Sequence, residues 1–112
     1  MDNLKNDNYF VDSMVLDASF IIEHTKNVSY EAFCQNPVLM DSVCFRFIQI
    51  SESGKRVSDD FKQTHKNVPW SLINGLRNRL VHTYGEVDPR TIYQTATEDL
   101  PDLVRSLKES KE

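Results

Sequence analysis

Asn36-Pro37-Val38-Leu39-Met40-Asp41-Ser42-Val43-Cys44-Phe45-Arg46-Phe47-Ile48-Gln49-Ile50 has the spacing of a long amphipathic helix. Leu39, Val43, Phe47 and Ile50 form one apolar row, and Met40, Cys44, Phe47 and Ile48 a flanking one, which is the 3.6-residue repeat. Asn36 is placed to cap this helix and Pro37 to fill its first position. The pattern predicts a helix from about Pro37 to Val57. Gly54 lies late in it, costing about 1 kcal/mol against alanine unless something packs closely there.

The segments on either side read in the same way. From Asn8 to about Thr25, Phe10, Met14, Asp17 and Ile21 follow one row and Val11, Ala18 and Ile22 the next, so a first long helix is expected, with Asp7 or Asn8 as its cap. Ser29 with Ala32 and Phe33 suggests a short helical turn. Ser58 to Val68 is a polar linker with a short turn, and Pro69-Trp70 opens a third helix expected to reach Tyr84. Gly85-Glu86-Val87 stops it. Asp88-Pro89 starts a fourth helix that runs to about Lys108, with Ile92, Tyr93, Ala96, Leu100, Leu103, Val104 and Leu107 inward. Pro101 should kink that helix or divide it. The fold class is all-α, an antiparallel bundle of four main helices. Residues 1–112 form one domain, and residues 1–7 and 109–112 are expected to fray.

Composition narrows the function classes. Three glycines and four prolines provide little turn chemistry for a many-stranded sheet. The apolar runs fall far short of the roughly 20 residues a spanning helix needs. The first residues lack the basic and apolar regions of a signal peptide, so the expected location is cytoplasmic. Cys34 and Cys44 stand singly in apolar surroundings without C-x-x-C spacing, and read as reduced, semi-buried thiols. A net charge of −4 argues against a broad basic nucleic-acid surface. Any RNA contact should be local, and the acidic remainder leaves room for a basic protein partner.

The chemistry concentrates in Leu76-Arg77-Asn78-Arg79-Leu80-Val81-His82-Thr83-Tyr84. At about 100° per residue, Leu72, Ile73, Leu76 and Leu80 share the core face. Arg77 then sits at the edge of the apolar arc with Tyr84 and Val81, Asn78 and His82 form a neighbouring stripe, and Arg79 lies on the opposite flank. An arginine so placed needs an anion, a partner chain or a polar pocket. One arrangement that satisfies it is structural: pairing with a carboxylate such as Glu52, with His82 at the helix C-terminus.

The other arrangement is catalytic. Arg77 offers a fork of donors to phosphate, and His82 can exchange a proton with a ribose 2′-hydroxyl or a leaving oxygen. Asn78 can orient the imidazole or hold a phosphate oxygen, and Tyr84 can stack on a base. No divalent-metal site is apparent, and RNA cleavage through a 2′,3′-cyclic phosphate is chemistry these groups allow. One domain supplies one such histidine, so a homodimer that joins two copies of the third helix is the expected active form. His24 and His65 read as surface or linker histidines. Lys55, Arg56, Lys62 and Lys66 read as a solvated face, or alternatively as a local basic rim for RNA.

Arg77-Asn78-Arg79-Leu80-Val81-His82-Thr83-Tyr84 resembles the R-N-x-x-x-H-x-Y signature of HepT-like toxins in the HEPN superfamily. Pro69-Trp70 with Ile73-Asn74-Gly75-Leu76 resembles the family's lead-in. Val87-Asp88 and Asp99-Leu100-Pro101-Asp102-Leu103 resemble its C-terminal half. Ile50-Ser51-Glu52-Ser53-Gly54-Lys55 stands where the family usually reads I-G-E-A-A-K, so Ser51 and Ser53 depart from the small residues around Glu52.

The likeness spans residues 8–107. It implies a homodimeric, metal-independent endoribonuclease, the toxin of a type VII-like toxin–antitoxin pair. Its implied partner is a minimal nucleotidyltransferase that spends ATP to transfer AMP to the motif tyrosine. Arg77 and His82 would then be catalytic, and Asn78, Arg79 and Glu52 supporting or RNA-binding, Glu52 by pairing with Arg77 or shaping the cleft. Tyr84 would be the modified residue, and no metal or cofactor of the protein's own is implied. The alternative is a helical module with weak or lost nuclease activity that serves as a scaffold for the nucleotidyltransferase.

Overall fold

The computed structural model of the protein describes residues 3–80 and 86–111. Helix α1 spans Asn3–Thr25, α2 Tyr30–Cys34, α3 Pro37–Arg56, α4 Asp59–Thr64 and α5 Trp70–Gly75. A 3₁₀ turn, Arg77–Arg79, follows α5. Helix α6 covers Pro89–Gln94, a π turn Thr95–Asp99, and α7 Leu100–Glu109. No β-strand occurs among the described residues, which are arranged as an all-α bundle.

The capping residues act as their types predict. Asn36 Oδ1 accepts from the Leu39 N–H, Ser29 Oγ from Ala32, Ser58 Oγ from Phe61 and Asp88 Oδ1 from Thr91. Each satisfies a donor that the first helical turn leaves orphaned. Pro37 and Pro89 sit in the first turns of α3 and α6, where a missing N–H costs nothing. Pro101 divides the last long helix, as expected. Its ring cannot tolerate the regular carbonyl four residues earlier, and the chain widens into the π turn before α7 begins.

Helices α1 and α3 pack antiparallel. The Arg56 guanidinium lies over the Phe10 ring near one end, Asp17 pairs with Arg46 at 2.7 Å midway, and Phe20 and His24 face Val38, Leu39 and Ser42 near the other. Helix α7 runs back along α1, so that Lys111 reaches Asp12 at 2.7 Å. Val11, Met14, Ala18 and Ile21 of α1 meet Val43, Phe47 and Ile50 of α3 in one core, together with Ile73, Leu76, Ile92, Leu100, Leu103 and Leu107. All of these are fully buried.

Three sequence expectations need correction. Helical order starts at Asn3, ahead of Asn8, because the buried Asp7 carboxylate accepts from the Ser58 N–H and hydroxyl, both at 2.7 Å, and ties α1 to the cap of α4. At the other end Ser110 is buried and its hydroxyl donates to the Leu107 carbonyl. Cys34 is exposed rather than semi-buried, while Cys44 is half-buried as expected; both are free thiols.

Candidate active site

A further correction concerns the helix expected to carry the motif: the α-helix ends at Gly75, not near Tyr84. At the Ile73 carbonyl the Leu76 N–H donates with three-residue spacing, and the Ser51 hydroxyl donates to the same oxygen at 2.7 Å. Arg79 N–H to Leu76 and Leu80 N–H to Arg77 continue the tighter spacing, and the Leu80 carbonyl then accepts from the Asp88 N–H at 2.9 Å. A side-chain hydroxyl that competes for a carbonyl, followed by a glycine, is enough to end regular α geometry. Ser51, which departs from the family pattern, is thus the residue that fastens α5 to α3. A Cβ at Gly54 would overlap Ile73 Cγ2, so this glycine permits the close approach of the same two helices.

The 3₁₀ turn changes where the motif's side chains point. Arg77 is exposed rather than tucked into an apolar edge, and its Nη1 donates to Glu52 Oε1 at 2.9 Å. Lys55 Nζ lies 3.9 Å from the same carboxylate oxygen. The Arg77–Glu52 pairing named from sequence is therefore present, as a half-exposed ion pair worth well under about 1 kcal/mol to stability. Glu52 engages one guanidinium nitrogen of a side chain that is 54% exposed. Asn78 is exposed beside it.

Arg79 turns to the other side. Its Nη1 donates to Asp99 Oδ2 at 2.8 Å and to Thr95 Oγ1 at 2.9 Å, the two ends of the π turn. Sequence reasoning set Arg79 on the flank opposite Arg77 and flagged the Asp99–Leu103 segment, but did not join them. Their separation along the chain carries no local signal.

Val81, His82, Thr83, Tyr84 and Gly85 lie outside the described residues, so the expectations for His82 and Tyr84 are not placed by the structure. The other two histidines have local roles. Nδ1 of His24 meets the Phe20 carbonyl at 2.8 Å and Nδ1 of His65 meets that of Phe61 at 2.9 Å, each ring stacked on its neighbouring phenylalanine at 4.0 Å. Among the basic side chains, Lys55 and Arg56 flank Glu52, with Arg56 and Glu52 both lining an open groove of about 370 Å³ between α1 and α3. Lys62 instead covers the Trp70 ring at 5.7 Å, and Lys66 is exposed.

The described residues form an all-helical bundle with an exposed arginine–amide pair on a tight turn, and comparison with known proteins supplies the family. Residues 15–110 match the family profile described as "Ribonuclease HepT-like", and the chain belongs to that family. A protein of Caldanaerobacter subterraneus subsp. tengcongensis named "Putative RNase" is 31% identical over 106 residues, 95% of each chain. A "Probable ribonuclease HepT" of Thermococcus cleftensis is 32% identical over 83 residues, covering 74% of this chain and 76% of that one. A similarly named RNase of Methanocaldococcus jannaschii is 29% identical over 99 residues, 88% of this chain and 91% of its own. No solved structure gives a significant match.

Proposed function

We propose that this protein is a metal-independent endoribonuclease, the toxin of a toxin–antitoxin pair. The observation that carries the reading is the exposed Arg77–Asn78 pair on the 3₁₀ turn, braced by Glu52 and leading directly to His82 in a HepT-like chain. Arg77 holds a scissile phosphate with the donors that Glu52 does not take. His82 accepts the proton of the ribose 2′-hydroxyl as its oxygen attacks phosphorus. The 2′-O–P bond forms, the bond to the 5′-oxygen breaks, and that oxygen leaves as a hydroxyl after taking a proton. The products are a 2′,3′-cyclic phosphate and a 5′-hydroxyl. Asn78 orients the imidazole or a phosphate oxygen. Two copies of the motif at a homodimer seam provide the second acid–base group.

The nucleotidyltransferase partner switches this site off by moving AMP from ATP to Tyr84: the phenol oxygen attacks the α-phosphorus and pyrophosphate leaves. The adduct places a bulky anion two residues beyond His82, where RNA phosphate has to sit. Among the described residues no helix is long and apolar enough to cross a membrane, and we assign the protein to the cytoplasm with its RNA substrate.

RNA cleavage in EDTA by the wild type, His82→Ala and Arg77→Ala tests the reading. Loss of cleavage in both variants, on the order of 10²-fold or more, is expected. Equal rates in wild type and His82→Ala exclude the catalytic role. The net charge of −4 favours one other reading, a scaffold for the nucleotidyltransferase with little nuclease activity; an inactive wild type free of any adduct would establish that one. Mass spectrometry after incubation with the nucleotidyltransferase and ATP should show AMP additions that disappear in Tyr84→Phe.

A further inference from the structure

Asp17 interrupts the apolar row of α1 with a carboxylate that is only 8% exposed. Such a group has to be paired, and Arg46 of α3 donates to its Oδ1 at 2.7 Å. A carboxylate can accept about four hydrogen bonds, so the Arg46 contact leaves acceptor capacity. Asp17 is also the most buried of the residues that line the open groove of about 370 Å³ between α1 and α3. Side-chain size shapes that groove. Tyr9 and Leu16, 66% and 68% exposed, stand on α1 about 10 Å apart along its axis. The small Ser13 lies between them and Ser53 across from them on α3. The result is a notch with two apolar walls, two hydroxyls and a carboxylate.

From these features we propose that the groove is a base-selecting subsite for the RNA strand, taking a nucleobase that carries an exocyclic amino group. The inference rests on the ribonuclease reading above and adds to it a preferred base near the cut. A planar ring fits the notch between Tyr9 and Leu16, and Tyr9 offers a π face on which any base can stack. Selection then falls to the polar groups. A carboxylate accepts hydrogen bonds and donates none, so Asp17 accepts from the amino group of cytosine or adenine and opposes the uracil carbonyl. Charge does not bar the strand. Asp17 is paired with Arg46 and Glu52 with Arg77, and Arg56 stands over the Phe10 ring at the groove as a cation for the backbone.

The groove also lies within reach of the motif turn. Ser51, Glu52 and Ser53 are consecutive on α3 and so step around it by about 100° each. Ser51 meets α5 through the Ile73 carbonyl, and Ser53 lines the groove on the other flank. Glu52, between them, lines the groove as well and holds Arg77 at 2.9 Å. A phosphate at Arg77 and a base in the groove are therefore about one helix diameter apart, roughly 10–12 Å. A strand that crosses α3 spans that gap within a few nucleotides.

Binding of short all-C and all-U oligoribonucleotides to the full chain tests the subsite, in a His82→Ala background so that no strand is cut. All-C should bind at least about fivefold tighter than all-U. Tyr9→Ala should weaken all-C binding by at least about fivefold. In Asp17→Asn, Arg46 keeps the amide oxygen and an NH2 donor replaces the second acceptor, so the order should reverse in favour of all-U. Ser53→Leu fills the notch and leaves the Asp17–Arg46 pair intact. It should remove the preference, which keeps the test available if Asp17→Asn folds poorly. Equal binding of the two oligomers, a preference for all-U in the His82→Ala protein, or a preference unchanged by Ser53→Leu overturns the subsite. So does a Tyr9→Ala variant whose sedimentation changes while its RNA binding does not, since the groove would then belong to a protein contact. Failure to bind either RNA overturns the ribonuclease reading as well, whereas binding without base preference removes the subsite alone.

Discussion

Gly54 is the position where one methyl group has the largest consequence. Its missing Cβ leaves room for Ile73 Cγ2, with Met14 Sδ 3.7 Å away, and both neighbours are fully buried. The sequence-level debit for a late-helix glycine is thus offset by helix–helix approach. Gly54→Ala should destabilise the protein by about 1–3 kcal/mol, read as a lower urea midpoint at unchanged slope. The two thiols should also separate. Burial, and to a lesser degree Asp41, raises the Cys44 pKa, so Cys44 holds less thiolate than a free cysteine at any given pH. Alkylation should therefore modify exposed Cys34 first and Cys44 only at higher pH. A thiol whose pKa is raised in the folded state favours folding below the unfolded value and loses that contribution as pH rises beyond about 8.5. Labelling rates against pH, with each site resolved by mass spectrometry, check both points; equal rates would contradict the packing around Cys44.

Between elements, the clamp from Arg79 to the two ends of the π turn fixes the turn that leads into His82. The pair is part-exposed, so Asp99→Asn should cost little stability, under about 1 kcal/mol, yet lower the cleavage rate several-fold by releasing the motif turn. Comparing kcat with the urea midpoint for Asp99→Asn, and testing Arg79→Ala with Asp99→Asn as a double variant, decides it. If the two residues act as a unit, the double variant loses no more rate than either single one. Much of this level was legible in the chain: Asn36-Pro37 and Asp88-Pro89 announced helix starts through cap chemistry, and Pro101 announced a break. The end of α5 was not legible. It depends on a hydroxyl from Ser51 reaching a carbonyl of another helix, which no local pattern records. For the same reason the wheel drawn through Tyr84 misplaced Arg77, while its Glu52 partner was anticipated from charge alone.

At the scale of the whole molecule, an acidic chain that binds RNA through a few local cations has a characteristic salt response. Arg77 and Lys55 both meet the Glu52 carboxylate, and the chain as a whole carries a net charge of −4. The dependence of log K on log salt should therefore be shallow, with a slope corresponding to roughly two or three phosphates. RNA binding by filter retention from low to moderate salt measures it, and a steep slope would reveal a larger basic surface.

The protein's single tryptophan has a use of its own. Trp70 stands at the first position of α5, donates its indole N–H to the His65 carbonyl at 3.0 Å, meets Phe61 edge-on and lies beneath Lys62. The molecule thereby contains one indole fluorophore, wedged where α4 hands over to the helix that leads into the motif. Its emission wavelength and quenching would report the seating of α5 alone, in real time and without a label, while RNA or a protein partner is added.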